Sequence, residues 1–224
     1  MIALVIQHLE SEGVGTLGDF LKSKDWELDF ARLYEGCQLS AKNGMYDLVV
    51  SMGGTMNVYE EEKYPFLADE TKFLREKIER GTTVLGVCLG AQMMAKAMGA
   101  QVVKSPAKEV GWGEVFLNNE GLSDKLFAGI KNPLKVFQWH GDMFHVPESG
   151  VLLGYSELCP HQAFRINRSY GFQFHIEADA GLLSAWFDES PQKDAFVREH
   201  DVNVNKLKLQ SEIIYSNLIG SITQ

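Results

Sequence analysis

Cysteine is scarce in this chain: Cys37, Cys88 and Cys159 are the only three in 224 residues. An odd number at wide, irregular spacing supports neither a disulfide framework nor paired metal ligands, and it fits a reducing, cytoplasmic compartment. Positive charge is also in deficit. Lys plus Arg total 21 against 30 Asp plus Glu, a formal charge of −9, which repels phosphate backbones and argues against a nucleic-acid partner. No run approaches the ~18 consecutive apolar residues of a membrane-spanning helix, so a soluble chain without a membrane partner is expected. A basic leader with a small-residue cleavage site is absent too, and Met1 to Gln7 reads as a buried strand. Nor is there an internal repeat or a linker rich in Pro, Gly or Ser. The expectation is one domain over residues 1–224, with a core at about 1–180 and closing helices at about 181–224.

What is present is a pattern of short apolar runs between amphipathic stretches. Ile2 to Gln7, Asp47 to Met52, Thr83 to Val87 and Gly171 to His175 have the length and composition of buried strands. Between them, Pro65 to Arg80 carries apolar residues at helical spacing before Gly81, and Leu89 to Met98 forms a second such stretch before Gly99. Alternating strand and helix predicts an α/β fold with a largely parallel open sheet flanked by helices. The middle differs: Gln101 to Lys104, Val115 to Leu117, Val136 to Trp139, Val151 to Tyr155 and Gln162 to Ile166 follow at short intervals and read as additional antiparallel strands. From Gly181 onward, two or three charged helices close the chain.

Chemistry concentrates in two segments. The strand Thr83 to Val87 ends in Gly86-Val87-Cys88-Leu89-Gly90 and opens directly into a helix. This is the form of a nucleophile elbow, in which glycines flank a residue whose backbone is strained. It also sets the sulfur at the positive end of a helix macrodipole, which favours thiolate over thiol. The second segment, Phe172-Gln173-Phe174-His175-Ile176-Glu177, is apolar and ends in His-x-Glu. Residues two apart in an extended chain share a side, so the Glu177 carboxylate can fix the tautomer of His175 and leave its other nitrogen for a nucleophile. Each feature alone has a structural explanation. Together they point to a Cys88, His175, Glu177 triad at the carboxyl edge of a parallel sheet. An oxyanion formed there needs main-chain donors: the N–H of Leu89 supplies one, and the Gly53-Gly54 pair after the second strand offers Gly54 as the other.

These segments, with Trp139-His140-Gly141-Asp142, resemble the class I glutamine amidotransferase family, over nearly the whole chain to about Ala180. Within it the chain is most similar to the amidotransferase domain of GMP synthase and to free-standing proteins like it. The resemblance implies a flavodoxin-like sheet, and release of ammonia from glutamine through a γ-glutamyl thioester on Cys88. It implies that Gly53 and Gly54 border the substrate, and that Gln92 and the main chain of Gly141 and Asp142 hold the α-amino and α-carboxylate groups. Two departures stand out: Ile176 where many relatives have Pro, and Trp139, whose indole beside the pocket bears on which γ-glutamyl compound fits.

The expected partners are glutamine or another γ-glutamyl small molecule, and a separate synthase subunit that accepts the ammonia. An alternative is hydrolysis of a γ-glutamyl peptide or amine by the same triad; a third is a non-catalytic regulatory subunit. Along the chain no set of His, Asp, Glu and Cys has metal-ligand spacing, so neither metal nor cofactor is expected. His8 reads as a solvated histidine at a strand end, Cys37 and Cys159 as structural, and Met93, Met94 and Met98 as core.

Overall fold

The computed structural model describes residues 1–222. Strand β1 (Ile2–Gln7) leads through helix α1 (Gly15–Ser23) to strand β2 (Glu27–Arg32). Strand β3 (Leu48–Ser51), helix α2 (Phe66–Glu79), strand β4 (Thr83–Val87) and helix α3 (Leu89–Ala97) follow. Next come the long strand β5 (Val102–Leu117), the short helix α4 (Asn119–Ser123) and strands β6 (Leu134–Phe144), β7 (Val151–Tyr155), β8 (Ala163–Ile166) and β9 (Ser169–Phe172). Helices α5 (Ala180–Trp186) and α6 (Lys193–Ile222) complete the described chain.

The nine strands form one sheet in the order β2-β1-β3-β4-β9-β8-β7-β5-β6. The first five are parallel neighbours, in the strand order of a doubly wound fold, and the remainder pair antiparallel. Period-two alternation in the parallel strands explains the layering. Ala3, Val5, Leu48 and Val50 pack with α1 and α6, through Leu17, Leu21, Ile214 and Leu218. Leu4, Ile6, Val49 and Val84 pack on the other face with Leu67, Leu74 and Ile78 of α2 and Met93 and Met94 of α3. Each such side chain, fully buried, stabilises the fold by roughly 1.5–3 kcal/mol.

The structure departs from the sequence pattern in four places. Helix α1 and strand β2 carry no clear apolar run, because α1 holds two glycines and β2 is an edge strand bearing Glu27, Asp29 and Arg32. The runs Gln101 to Lys104 and Val115 to Leu117 are the two ends of one strand, β5, whose register shifts between Lys104 and Glu109, around Pro106. The ladder of β9 stops at Phe172; His175 leaves β4 and bridges instead to Phe137 of β6. Phe196-Val197 and Leu207 to Leu218 belong to a single helix, α6.

Candidate active site

Cys88 stands between β4 and α3 with φ 51° and ψ −108°, a backbone conformation that L-residues rarely adopt. The turn closes this tightly only because of its glycines. A Cβ on Gly90 would lie 2.0 Å from the Ser51 carbonyl oxygen, and one on Gly86 would lie 2.6 Å from the Gly90 main chain. The Cys88 thiol is 3.7 Å from the Trp139 carbonyl oxygen, to which it donates, and receives the Gln173 Nε2 at 3.8 Å.

His175 reaches the same cleft from beyond β9. Its main chain exchanges two hydrogen bonds with Phe137, at 2.9 and 3.2 Å, which tie it to β6. Its Nδ1–H donates to Glu177 Oε1 at 2.6 Å, and both side chains are buried. With Nδ1 spent, Nε2 is left without a hydrogen-bond partner among the described residues. Burial opposes charge on this ring, but the Glu177 carboxylate and the neighbouring Cys88 outweigh it and hold the His175 pKa well above the ordinary 6.5. Trp186 of α5 packs on the imidazole at 4.8 Å between centroids, and Trp139 and Phe187 continue that aromatic wall.

The cleft has a volume of about 550 Å³, and its lining includes Cys88, His175, Gly54, Gln92, Trp139, Gly141 and Asp142. Gly54 packs directly on Leu89: a Cβ there would meet Leu89 Cδ2 at 2.7 Å. The N–H groups of Gly54 and Leu89 have no acceptor among the described residues. Gly53, expected to border the substrate, is buried outside the cleft lining, where a Cβ would meet Glu12 Oε2 at 2.7 Å and His175 Cε1 at 3.2 Å; Glu177 is buried behind His175. Gln92 donates Nε2 to the Asp142 carbonyl at 3.2 Å and to Gln173 Oε1 at 3.1 Å, leaving its own Oε1 for a ligand. Segment 139–142 is not a turn but the running strand β6, paired with β5. The Asp142 carboxylate is held by Lys104 Nζ at 2.6 Å and Tyr59 Oη at 3.0 Å.

Three buried groups emerge that sequence patterning does not mark. His8, expected in solvent, is fully buried and bonded to Glu70, because the chain after β1 turns inward under the Gly53-Gly54 loop. Glu12 lines the cleft with its carboxyl buried and Oε2 unpartnered; burial pushes its pKa up to about 7 against the pull of His175. Gln173 joins Gln92 to Cys88. Lys104 to Lys108, at the register shift of β5, add a rim that no periodicity signals.

Among the described residues, tertiary packing also assembles one group with metal-ligand chemistry. Donor atoms of Glu109, His140 and Cys159 lie within 4.8 Å of one another. The Glu109 carboxylate already accepts from Ser156 Oγ at 2.9 Å and Gln162 Nε2 at 2.7 Å, and His140 Nε2 lies 3.1 Å from it. The cluster joins strands β5 and β6 to the segment after β7. Burial raises the pKa of the Cys159 thiol. His161 donates to the Phe144 carbonyl at 2.8 Å, and His200 pairs with Asp201 at 2.9 Å.

A strained cysteine at a helix N-terminus, an imidazole backed by a carboxylate and two acceptor-free N–H groups stand together on a doubly wound sheet, the kinds of group on which thiol-dependent acyl transfer draws. The comparisons narrow that class: residues 21–188 match the model of the family described as Glutamine amidotransferase class-I, and the chain belongs to that family. It is 30% identical over 192 residues, 84% of this chain and 80% of the relative, to the glutamine amidotransferase-like protein YfeJ of Salmonella typhimurium. It is 33% identical over 132 residues to the GMP synthase of Geobacillus kaustophilus, of which the match covers 24% against 58% of this chain. Among solved structures, a glutamine amidotransferase from Thermotoga maritima superposes with a TM-score of 0.90 at 32% identity, covering 98% of both chains.

Proposed function

We propose that this chain hydrolyses the side-chain amide of glutamine. His175 takes the thiol proton, and Cys88 attacks the carboxamide carbon while Gly54 and Leu89 N–H groups receive the developing oxyanion. The C–N bond breaks as His175 returns the proton to nitrogen, ammonia leaves, and a γ-glutamyl thioester remains. Water then adds with His175 as base; glutamate departs and the thiol is restored. In this reading Glu177 orients the imidazole, Gln92 Oε1 accepts from the α-ammonium group, and Gly141 and Asp142 border the α-carboxylate. The ammonia passes to a separate synthase subunit, or to solvent. The reaction as written draws on no cofactor.

The observation that carries this reading is the 2.6 Å His175 to Glu177 bond beside a cysteine in a forced backbone conformation. Such a pairing sets one imidazole nitrogen and frees the other for the sulfur. A second reading, cleavage of a γ-glutamyl peptide or amine, is supported by the reach of the cleft beyond Cys88 to Lys108, which leaves room for a larger leaving group. One assay separates the two. Purified protein receives glutamine and a panel of γ-glutamyl dipeptides, with ammonia and glutamate measured beside a Cys88→Ala control. Thiol-dependent ammonia release from glutamine is the expected result. Much faster turnover of dipeptides favours the second reading, and no thiol-dependent release from any compound sinks both.

A further inference from the structure

Under the Gly53-Gly54 loop lies a pair of buried ionisable groups for which the reaction above has no use. His8 and Glu70 are both fully buried, and His8 Nε2 lies 2.8 Å from Glu70 Oε2. The other oxygen of Glu70 accepts from Ser51 Oγ at 2.6 Å, and His8 Nδ1 lies 3.0 Å from the Gly53 carbonyl oxygen. A carbonyl only accepts, so Nδ1 carries a proton and donates. A serine at the end of β3, a glutamate on α2 and a histidine at one strand end thus form a chain of hydrogen bonds that ends on one main-chain oxygen.

That oxygen matters because of the peptide to which it belongs. The carbonyl of Gly53 and the N–H of Gly54 are the two ends of one planar trans unit and point to opposite sides of it. We infer that His8, held by Glu70, is a positioning residue that anchors the Gly53 carbonyl and thereby keeps the Gly54 N–H turned to the oxyanion. The inference rests on the reading of Gly54 as an oxyanion donor. A link between two glycines is the one most free to rotate, having no Cβ to resist it, so a donor placed there needs an external hold. His8 supplies it at close range, its Cβ standing 3.2 Å from where a Gly54 Cβ would be. The hold is also electrostatic. Burial disfavours a charged ring, but the Glu70 carboxylate raises the pKa of His8, and a proton-rich donor behind the carbonyl polarises the peptide toward a stronger N–H donor on its far side.

The test compares two reactions of the same sulfur. Hydrolysis of the wild type's best γ-glutamyl substrate passes through an oxyanion; alkylation of Cys88 by iodoacetamide needs only the thiolate. His8→Phe removes the anchor, and His8→Asn keeps a donor near the Nδ1 position and guards against misfolding of the first variant. Loss of one oxyanion donor typically lowers kcat by ~10²–10³-fold. The expected result is a fall of about that size in His8→Phe with KM nearly unchanged, an unaltered alkylation rate, and a fall of no more than ~10-fold in His8→Asn. Wild-type kcat in both variants overturns the inference. So does an equal loss of hydrolysis and alkylation, which places His8 on the thiolate or on folding instead. A wild type that turns over no γ-glutamyl compound sinks the hydrolase reading itself, and that result is seen before any variant is made.

Discussion

Two of the buried histidine–glutamate pairs of this molecule, His175–Glu177 and His8–Glu70, are built of the same groups at nearly the same distance, 2.6 and 2.8 Å. They differ in what their remaining atoms do. In the His8 pair every position is spent: Nδ1 on Gly53, the second carboxylate oxygen on Ser51. In the His175 pair, Nε2 and Glu177 Oε2 have no partner among the described residues. A pair whose hydrogen bonds are complete holds a shape; a pair with a nitrogen left over is able to move a proton. Residue type and burial do not tell the two apart, and the census of hydrogen bonds does.

The contrast is open to attack by substitution. The largest effect is expected from Cys88→Ala, which leaves the His175 pair with nothing to deprotonate: ammonia release should fall by about 10⁴-fold or more. Replacing each glutamate by glutamine then sets one pair against the other. Glu177→Gln preserves shape but loses the negative charge and brings an amide NH₂ that donates to Nδ1 and sets the wrong tautomer, and kcat should drop by roughly 10²–10⁴-fold with little change in KM. Glu70→Gln keeps a partner for His8 and its bond to Gly53, losing only the charge, and should cost about 10-fold in kcat. Equal losses in the two variants would erase the distinction between a working and a holding pair.

The smallest effect concerns Glu12, which interacts with both pairs through His175 and His8. Its pKa rises from an ordinary 4.5 to about 7 on folding. The folded state therefore binds this proton more tightly than the unfolded state. Its stabilising contribution is complete below pH 4.5 and is lost as pH climbs through 7. His8 and His175, both raised above 6.5, act in the same direction at higher pH. Glu12→Gln, which carries no charge to desolvate, should gain up to a few kcal/mol over wild type at pH 8.5 and little at pH 5. Thermal unfolding at the two pH values checks this; a gain at pH 5 as large as that at pH 8.5 would contradict it.

Legibility in the sequence follows the range of the interactions. Gly86, Cys88 and Gly90 lie within five residues, and the collisions that demand glycine are set by that turn and one neighbouring strand. His175 and Glu177 are two apart, so extended backbone geometry brings them together unaided. The inner parallel strands β1, β3 and β4 were readable because they are almost wholly apolar, whereas the edge strand β2, with Glu27, Asp29 and Arg32, was not. The antiparallel half was blurred, because β5 buries Glu109 and exposes Val110, against the pattern that residue type alone suggests. His8 and Glu70 are 62 residues apart, and neither has a neighbour in sequence that hints at the other. Glu12 has the same character: an acid in a polar stretch until the chain folds it against Gly53 and His175.

What the sequence determined by itself was therefore the strained cysteine turn, the imidazole with its adjacent acid, and the alternation of strand and helix. Backbone stereochemistry and hydrophobic periodicity act over a few residues and need no knowledge of the rest. Only the tertiary structure decided which buried acids and histidines would meet and which atoms would remain unpaired. Those outcomes depend on how loops cross the end of the sheet, where a shift of an ångström or two makes or breaks a hydrogen bond.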